Sequence, residues 1–245
     1  AFRRPCHEGE VKRYLQLVSL AKTEGEDVEH GIRLALEAML VSPSFLFREE
    51  PQPEPDDAKK IHKIDEHALA TRLSYFFWST MPDQRLMELA SKGELRKNLD
   101  GEIDRMIRDE RSRQFVSNFT GQWLRLRDIP STRPQERMFP KFTGKVREAM
   151  RRETEMFFAH IVREDLPMAS LLDADFTFVN ETLAGYYGIP DVKGDNFRKV
   201  TLTDSHRRGI LGQGSFHLLT SYPLRTSPVL RGKYVLENLL DTEPP

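Results

Sequence analysis

Glu153, Asp173, Asp175 and His217 are the side chains of this sequence best suited to moving protons. A carboxyl group and an imidazole that meet in one cleft can act as general acid and base, and Asp173 and Asp175, two residues apart, could divide those roles. The plainer reading of the two aspartates is that one ends a helix and the other caps a turn, since a short carboxylate accepts nearby backbone N–H groups. Glu153 and His160 stand seven residues apart on one helical face, which permits a shared metal ion and equally permits a solvated stripe. A carboxylate-bridged two-metal bundle would need Glu-x-x-His on two helices, and the sequence has none, so no metal site is expected. Gly212-Gln213-Gly214-Ser215 lacks the G-x-S-x-G spacing of a nucleophile elbow and is too poor in glycine to cradle a phosphate.

A second cluster is basic: Arg207, Arg208, Arg225, Arg231 and Lys233 fall within one short stretch. Guanidinium forks match carboxylates, so an anionic ligand or an acidic partner surface would suit them, while salt bridges to Asp204, Glu237 or Asp241 would account for the same residues. The chain as a whole is neutral, with 37 Lys and Arg against 38 Asp and Glu, and gives no global reason to expect nucleic acid or an anionic membrane. Cys6 is the single cysteine, which excludes an intrachain disulfide, a cysteine zinc site and a CxxCH haem attachment built from these 245 residues alone. No apolar run approaches the ~20 residues a membrane span needs. Ala1 in place of Met and the closing Pro244-Pro245 are expected of a segment cut from a longer protein.

The elements that must position these residues are helical. Apolar residues recur at helical spacing over 9–24 and 28–40, predicting a helical hairpin. The tract Pro51 to Asp57, rich in proline and acid, reads as a linker. Asp65 and Asp83 are placed to cap helices, the first ending near Met81-Pro82 and the second near Gly93. Helices are predicted over 95–109 and 112–126, the latter burying Phe115, Phe119, Trp123 and Leu126. Residues 128–140 hold three prolines and read as an irregular connection, followed by the strongest helix, 142–162, whose Val146, Met150, Phe157 and Ile161 form the apolar stripe and whose charged residues, Glu153 among them, lie elsewhere. Phe176 to Val179 and Phe197 to Leu202 are the strand-like runs and could pair; Asn180 caps a short helix to Tyr187, and Ser227 with Pro228 starts another running to Leu240. The predicted fold is an all-α array of about eight to ten helices with a minor β-hairpin near 176–202. The modules expected are a helical hairpin over 1–50, a central body over 58–202 and the start of a third module over 203–245.

Several segments speak together: Ala1-Phe2-Arg3-Arg4-Pro5, Ser42 to Arg48, Arg72 to Trp78, Gly121 to Leu124, Met150 to Glu155, Leu171 to Thr177, Tyr186 to Pro190, and the stretch from Arg207-Arg208-Gly209 through Thr220 to Pro223 and Arg225 to Pro228 as far as Arg231-Gly232-Lys233. Over nearly its whole length the chain resembles three consecutive domains of unknown function found in large secreted proteins of planctomycetes and other bacteria, associated with c-type cytochromes. In that family the proline-rich tract begun here by Pro244-Pro245 leads to a CxxCH haem-attachment segment. The resemblance implies an extracytoplasmic parent protein that carries c-type haem, with this chain as its helical body and no cofactor of its own. It also gives His206, His217, Arg225 and Arg231 a possible role beside the haem, as an axial ligand or as propionate partners. The bland reading makes His206 a solvated turn residue and His217 a half-buried helix residue.

The leading expectation is a non-catalytic scaffold or docking body for a haem segment of the same polypeptide, working beside other surface or redox proteins. The alternatives are a hydrolytic or oxidative enzyme acting on polysaccharide or another polymer, and a protein-interaction module. A scaffold predicts an apolar patch bordered by Arg225 and Arg231. An enzyme predicts a concave pocket with convergent, desolvated carboxylates, and an interaction module a flat apolar surface.

Overall fold

Helices begin where short polar side chains can satisfy the free N–H groups of a first turn. Asp27 accepts from His30 N–H at 2.7 Å, Asp65 from Ala68 at 2.8 Å, Asp83 from Leu86 at 3.0 Å and Asn180 from Leu183 at 3.0 Å. The computed structural model describes residues 2–48, 50, 52–57 and 59–244. It falls into two compact units, Ala1–Arg111 and Ser112–Pro245, each with one tryptophan, Trp78 and Trp123.

The first unit contains α1 (Glu8–Thr23), α2 (Val28–Leu40), α3 (Pro43–Leu46), α4 (Glu66–Trp78), α5 (Gln84–Ser91) and α6 (Leu99–Arg108). Its helical hairpin leaves much of its apolar stripe open, Leu15 being 60% and Leu36 52% exposed. Arg3 ties the entry to the hairpin down, donating to the Tyr75 hydroxyl at 2.9 Å and to the Phe45 carbonyl at 3.0 Å. Deeper in the unit, Trp78 donates its indole N–H to the Met106 carbonyl at 3.1 Å, and the Arg111 guanidinium lies 3.6 Å over its ring. The predicted linker begins at Pro51, outside the described residues; 52–57 hold neither helix nor strand.

The second unit contains α7 (Arg113–Trp123), α8 (Gly144–Arg163), α9 (Ser170–Asp173), β1 (Phe176–Val179), α10 (Glu181–Tyr187), β2 (Arg198–Thr201), α11 (Gly214–Leu219) and α12 (Pro228–Tyr234). The strands pair antiparallel in the register Phe176↔Thr201 to Val179↔Arg198. The predicted helical array with one small hairpin is what the described residues show; α3, α9 and α11 are short helices that periodicity does not reveal. α8 is the axis of the unit, packing Phe157, Phe158 and Ile161 against α7 and β1, and Val146, Ala149 and Met150 against Leu183 and Ala184 of α10.

Several expectations need correction. Phe119 is 39% exposed, although its ring stacks on Phe158 at 5.3 Å. Leu126 is buried in a 3-10 turn, Leu126–Ser131, instead of in α7, because the chain takes a left-handed step at Arg125, φ 55°. α12 changes to a π turn over Val235–Leu239 and does not run on as α-helix to Leu240. The largest correction concerns Glu153: it belongs to no solvated stripe but is 1% exposed at the middle of α8, because β1, α10 and α11 widen the covered face beyond the apolar stripe.

Ser227 caps α12 as expected, accepting from Leu230 N–H at 3.2 Å with Pro228 in the first turn. Ser227→Ala should therefore cost about 1 kcal/mol, seen as a lower midpoint of the second unit in chemical denaturation.

Candidate functional site

The residues that attract attention lie in the second unit around a cavity of about 660 Å³. Its walls are largely apolar: Phe139, Phe142, Met150, Tyr186, Leu218 and Leu219. Four arginines, Arg133, Arg207, Arg225 and Arg231, line the same space, and no Asp or Glu is among the described residues that line it.

Local structure explains how these side chains are held. The turn Ser205–Arg207 carries Arg207, whose guanidinium sits 4.0 Å over the Tyr187 ring. Arg225 lies in a tight loop closed by a bridge between Ser221 and Thr226, with Tyr222 N–H donating to the Arg225 carbonyl at 2.9 Å and the guanidinium 5.0 Å from the Tyr222 ring. That loop is fastened to the segment before α8 by Gln135 N–H, which donates to the Pro223 carbonyl at 3.0 Å. Arg231 projects from α12, its Nε buried without a hydrogen-bond partner. None of Arg207, Arg225 and Arg231 forms an ion pair among the described residues, whereas Lys233 pairs with Glu237 at 3.5 Å. His217, on α11, lines the cavity too, and burial together with Arg231 and Arg207 lowers its pKa, favouring the neutral imidazole.

Behind the wall lies a buried polar network. Thr177 of β1 donates to Glu153 Oε1 at 2.6 Å and the Tyr187 hydroxyl donates to Oε2 at 2.6 Å; the same hydroxyl accepts from Gly214 N–H at 2.8 Å. Burial pushes the Glu153 carboxyl up to about 7, against the pull of these two donors and of the Arg207 charge. Burial and the neighbouring Glu153 also raise Tyr187 well above the ordinary phenol range. Next along α8, Thr154 donates to Gln213 Oε1 at 2.6 Å and shares a hydrogen bond of 2.6 Å with Ser215, while Gln213 Nε2 has no partner.

The structure thus brings Arg225, Arg231 and His217 onto one cavity and sets Glu153 directly behind it. It does not bring Asp173 and Asp175 there. Both are exposed and line a separate depression with His160, Glu164, Lys199 and Arg208, where His160 Nε2 lies 2.9 Å from Lys199 Nζ. Asp173 ends α9, in keeping with its plainer reading. His206 is exposed in its turn and does not line the cavity. No group of three or more His, Cys, Asp or Glu among the described residues could hold a metal ion. Thr177 and Tyr187 were not singled out as site residues from sequence. The available signal was that Met150 to Glu155, Leu171 to Thr177, Tyr186 to Pro190 and Arg207 to Gly209, four of the segments carrying the resemblance, all supply part of this network or its frame.

Comparison with known proteins assigns most of the chain to three families. Residues 64–189 match the family described as PSD4: Protein of unknown function (DUF1592), residues 1–50 match PSD5: Protein of unknown function (DUF1595), and residues 207–245 match PSCyt3: Protein of unknown function (DUF1588). The division between the two compact units falls inside the first of these. No curated protein and no solved structure matches the chain. No helix among the described residues is long and apolar enough to cross a membrane. With just over half of its residues inside the central match, the chain belongs to the PSD4 (DUF1592) family, one of the planctomycete cytochrome-c-associated domains of unknown function.

Proposed function

We propose that the second unit is a docking body for a c-type haem attached elsewhere in the same polypeptide, and that the chain is a non-catalytic helical scaffold of an extracytoplasmic haem protein. The cavity carries this reading. An apolar chamber of about 660 Å³, with four arginines and no carboxylate among its described lining residues, suits a flat apolar body bearing anionic groups. Haem is such a body. Its propionates match the guanidinium forks of Arg207, Arg225 and Arg231, which line the cavity without an ion-pair partner among the described residues. When bound, the haem would supply one-electron transfer; this chain would exclude water from its edge and orient it. The enzyme reading is less well supported, since Glu153 is sealed behind Tyr187 while Asp173 and Asp175 face another depression.

The test is an absorption spectrum of the parent polypeptide, carried through its CxxCH segment and matured in a periplasm competent for c-type haem attachment, beside Arg225→Ala and His217→Ala. A Soret band that shifts in either variant supports the docking role. A spectrum indifferent to both changes, or no haem incorporation, overturns it.

A further inference from the structure

The haem reading makes no use of the most unusual group in the unit, a carboxyl buried at the centre of α8 one side chain away from the cavity. Every atom of Glu153 that can accept is engaged, and each partner comes from a different element: Thr177 from β1, Tyr187 from α10, and the Gly214 N–H of α11 holding Tyr187 from behind. The charged group bearing on the carboxyl is Arg207, from the Ser205–Arg207 turn. Tyr187 and Arg207 are also cavity wall, so Arg207 stands between two anionic positions, the carboxylate behind Tyr187 and whatever enters in front.

We propose that Glu153 is a proton store for this cavity, so that an amphipathic anion taken up against Arg207 is accompanied by one proton arriving from solvent on the Glu153 carboxyl. An entering anion cancels part of the Arg207 charge that Glu153 feels, and the carboxylate becomes a better base. The new O–H has a partner in place: on Oε1 it donates to the Thr177 hydroxyl, which turns from donor to acceptor, while Tyr187 continues to donate to Oε2. Linkage requires the reverse as well, that a protonated Glu153 leaves Arg207 free for the incoming anion. Burial places the titration of Glu153 near neutrality, where such an exchange is available. This inference rests on the cavity as an anion site, as the haem reading does.

The probe is anilinonaphthalene sulfonate, an apolar anion whose sulfonate keeps its charge throughout the neutral range, titrated by fluorescence into the 245-residue chain. Its affinity should rise about fivefold to tenfold between about pH 8.5 and about pH 5.5, with proton uptake seen by calorimetry in buffers of different ionisation heat. Glu153→Gln should bind at every pH as the wild type does in acid. His217→Gln should keep the pH dependence; the control is needed because this imidazole is the lining group whose ordinary titration falls in the window, the phenols of Tyr186 and Tyr187 being raised further above it. If Glu153→Gln does not fold, Tyr187→Phe gives the same information: losing a donor to the carboxylate should move the midpoint to higher pH. A pH dependence that survives Glu153→Gln, or vanishes in His217→Gln, overturns the proposal. Binding that Arg225→Ala weakens but that is flat in pH overturns the proton store alone, whereas binding indifferent to Arg225→Ala overturns both this proposal and the cavity as an anion site.

Discussion

Gly209→Ala should destabilise the Ser112–Pro245 unit by about 4 kcal/mol or more. Gly209 has φ 58° and ψ −172°, a region that only glycine enters without strain. A Cβ added there would lie 2.2 Å from the carbonyl oxygen of Leu172 and 2.3 Å from its carbonyl carbon, both backbone atoms of α9 that cannot rotate away. The glycine N–H meanwhile donates to the Ala174 carbonyl at 3.1 Å, fixing the turn that carries Arg207 against the entry to β1. Conformational strain and overpacking both contribute, and the loss is a large share of the ~5–15 kcal/mol that keeps a domain folded. Urea denaturation followed through Trp123, in a Trp78→Phe background, isolates the second unit. Gly185→Ala is the control: it lies inside α10 with no atom within 4 Å of the added methyl, and should be neutral or stabilise the unit by up to about 1 kcal/mol. Similar stabilities for the two variants would contradict the packing described.

The second large effect is on the pH dependence of stability. The Glu153 carboxyl titrates at about 7 in the folded unit against an ordinary value of 4.5. A carboxyl with a raised folded pKa binds its proton more tightly when folded, so its contribution is fully present below the ordinary value and is lost as pH rises through the folded one. The unit should therefore lose about 3 kcal/mol between about pH 4.5 and pH 8 on this account. Glu153→Gln keeps the shape and removes the titration, and should flatten the curve so that the variant overtakes the wild type above neutrality. Denaturation midpoints at several pH values decide the matter; parallel curves for the two proteins would show that Glu153 does not titrate in this window.

What was legible in the sequence was what repeats or caps. Asp65, Asp83, Asn180 and Ser227 each announced a helix, because a short polar side chain ahead of an apolar run has a local task that does not depend on tertiary structure. The hairpin was legible for the same reason, in two runs of strand-forming residues. Glu153 was not, since amphipathic patterning assigns any charge on a helix to its wet face. What makes its burial tolerable is supplied by Thr177 and Tyr187, 24 and 34 residues later, and pairings at that separation leave no periodic trace. The basic cluster was half legible. Proximity in sequence gathered Arg207, Arg208, Arg225, Arg231 and Lys233 as one group, but neighbours diverge once a turn intervenes: Arg207 lines the cavity while Arg208 lines the depression beside Asp173.

Two hydrogen bonds join the far ends of the second unit. Trp123 donates its indole N–H to the Asn238 carbonyl at 2.6 Å, and the Tyr234 hydroxyl donates to the Leu124 carbonyl at 2.9 Å, spanning 115 and 110 residues. Contacts of such separation close late, after the loop between them has been ordered. A chain emerging from the ribosome or a translocation pore in N-to-C order thus presents α7, α8 and the hairpin before the segment that seals them has appeared. Through that interval the Trp123 indole lacks its Asn238 acceptor, and the apolar cluster between α7 and α8 lacks the cover that Leu239 later supplies. Birth order, as much as packing, makes the π turn at Val235–Leu239 the keystone of the unit.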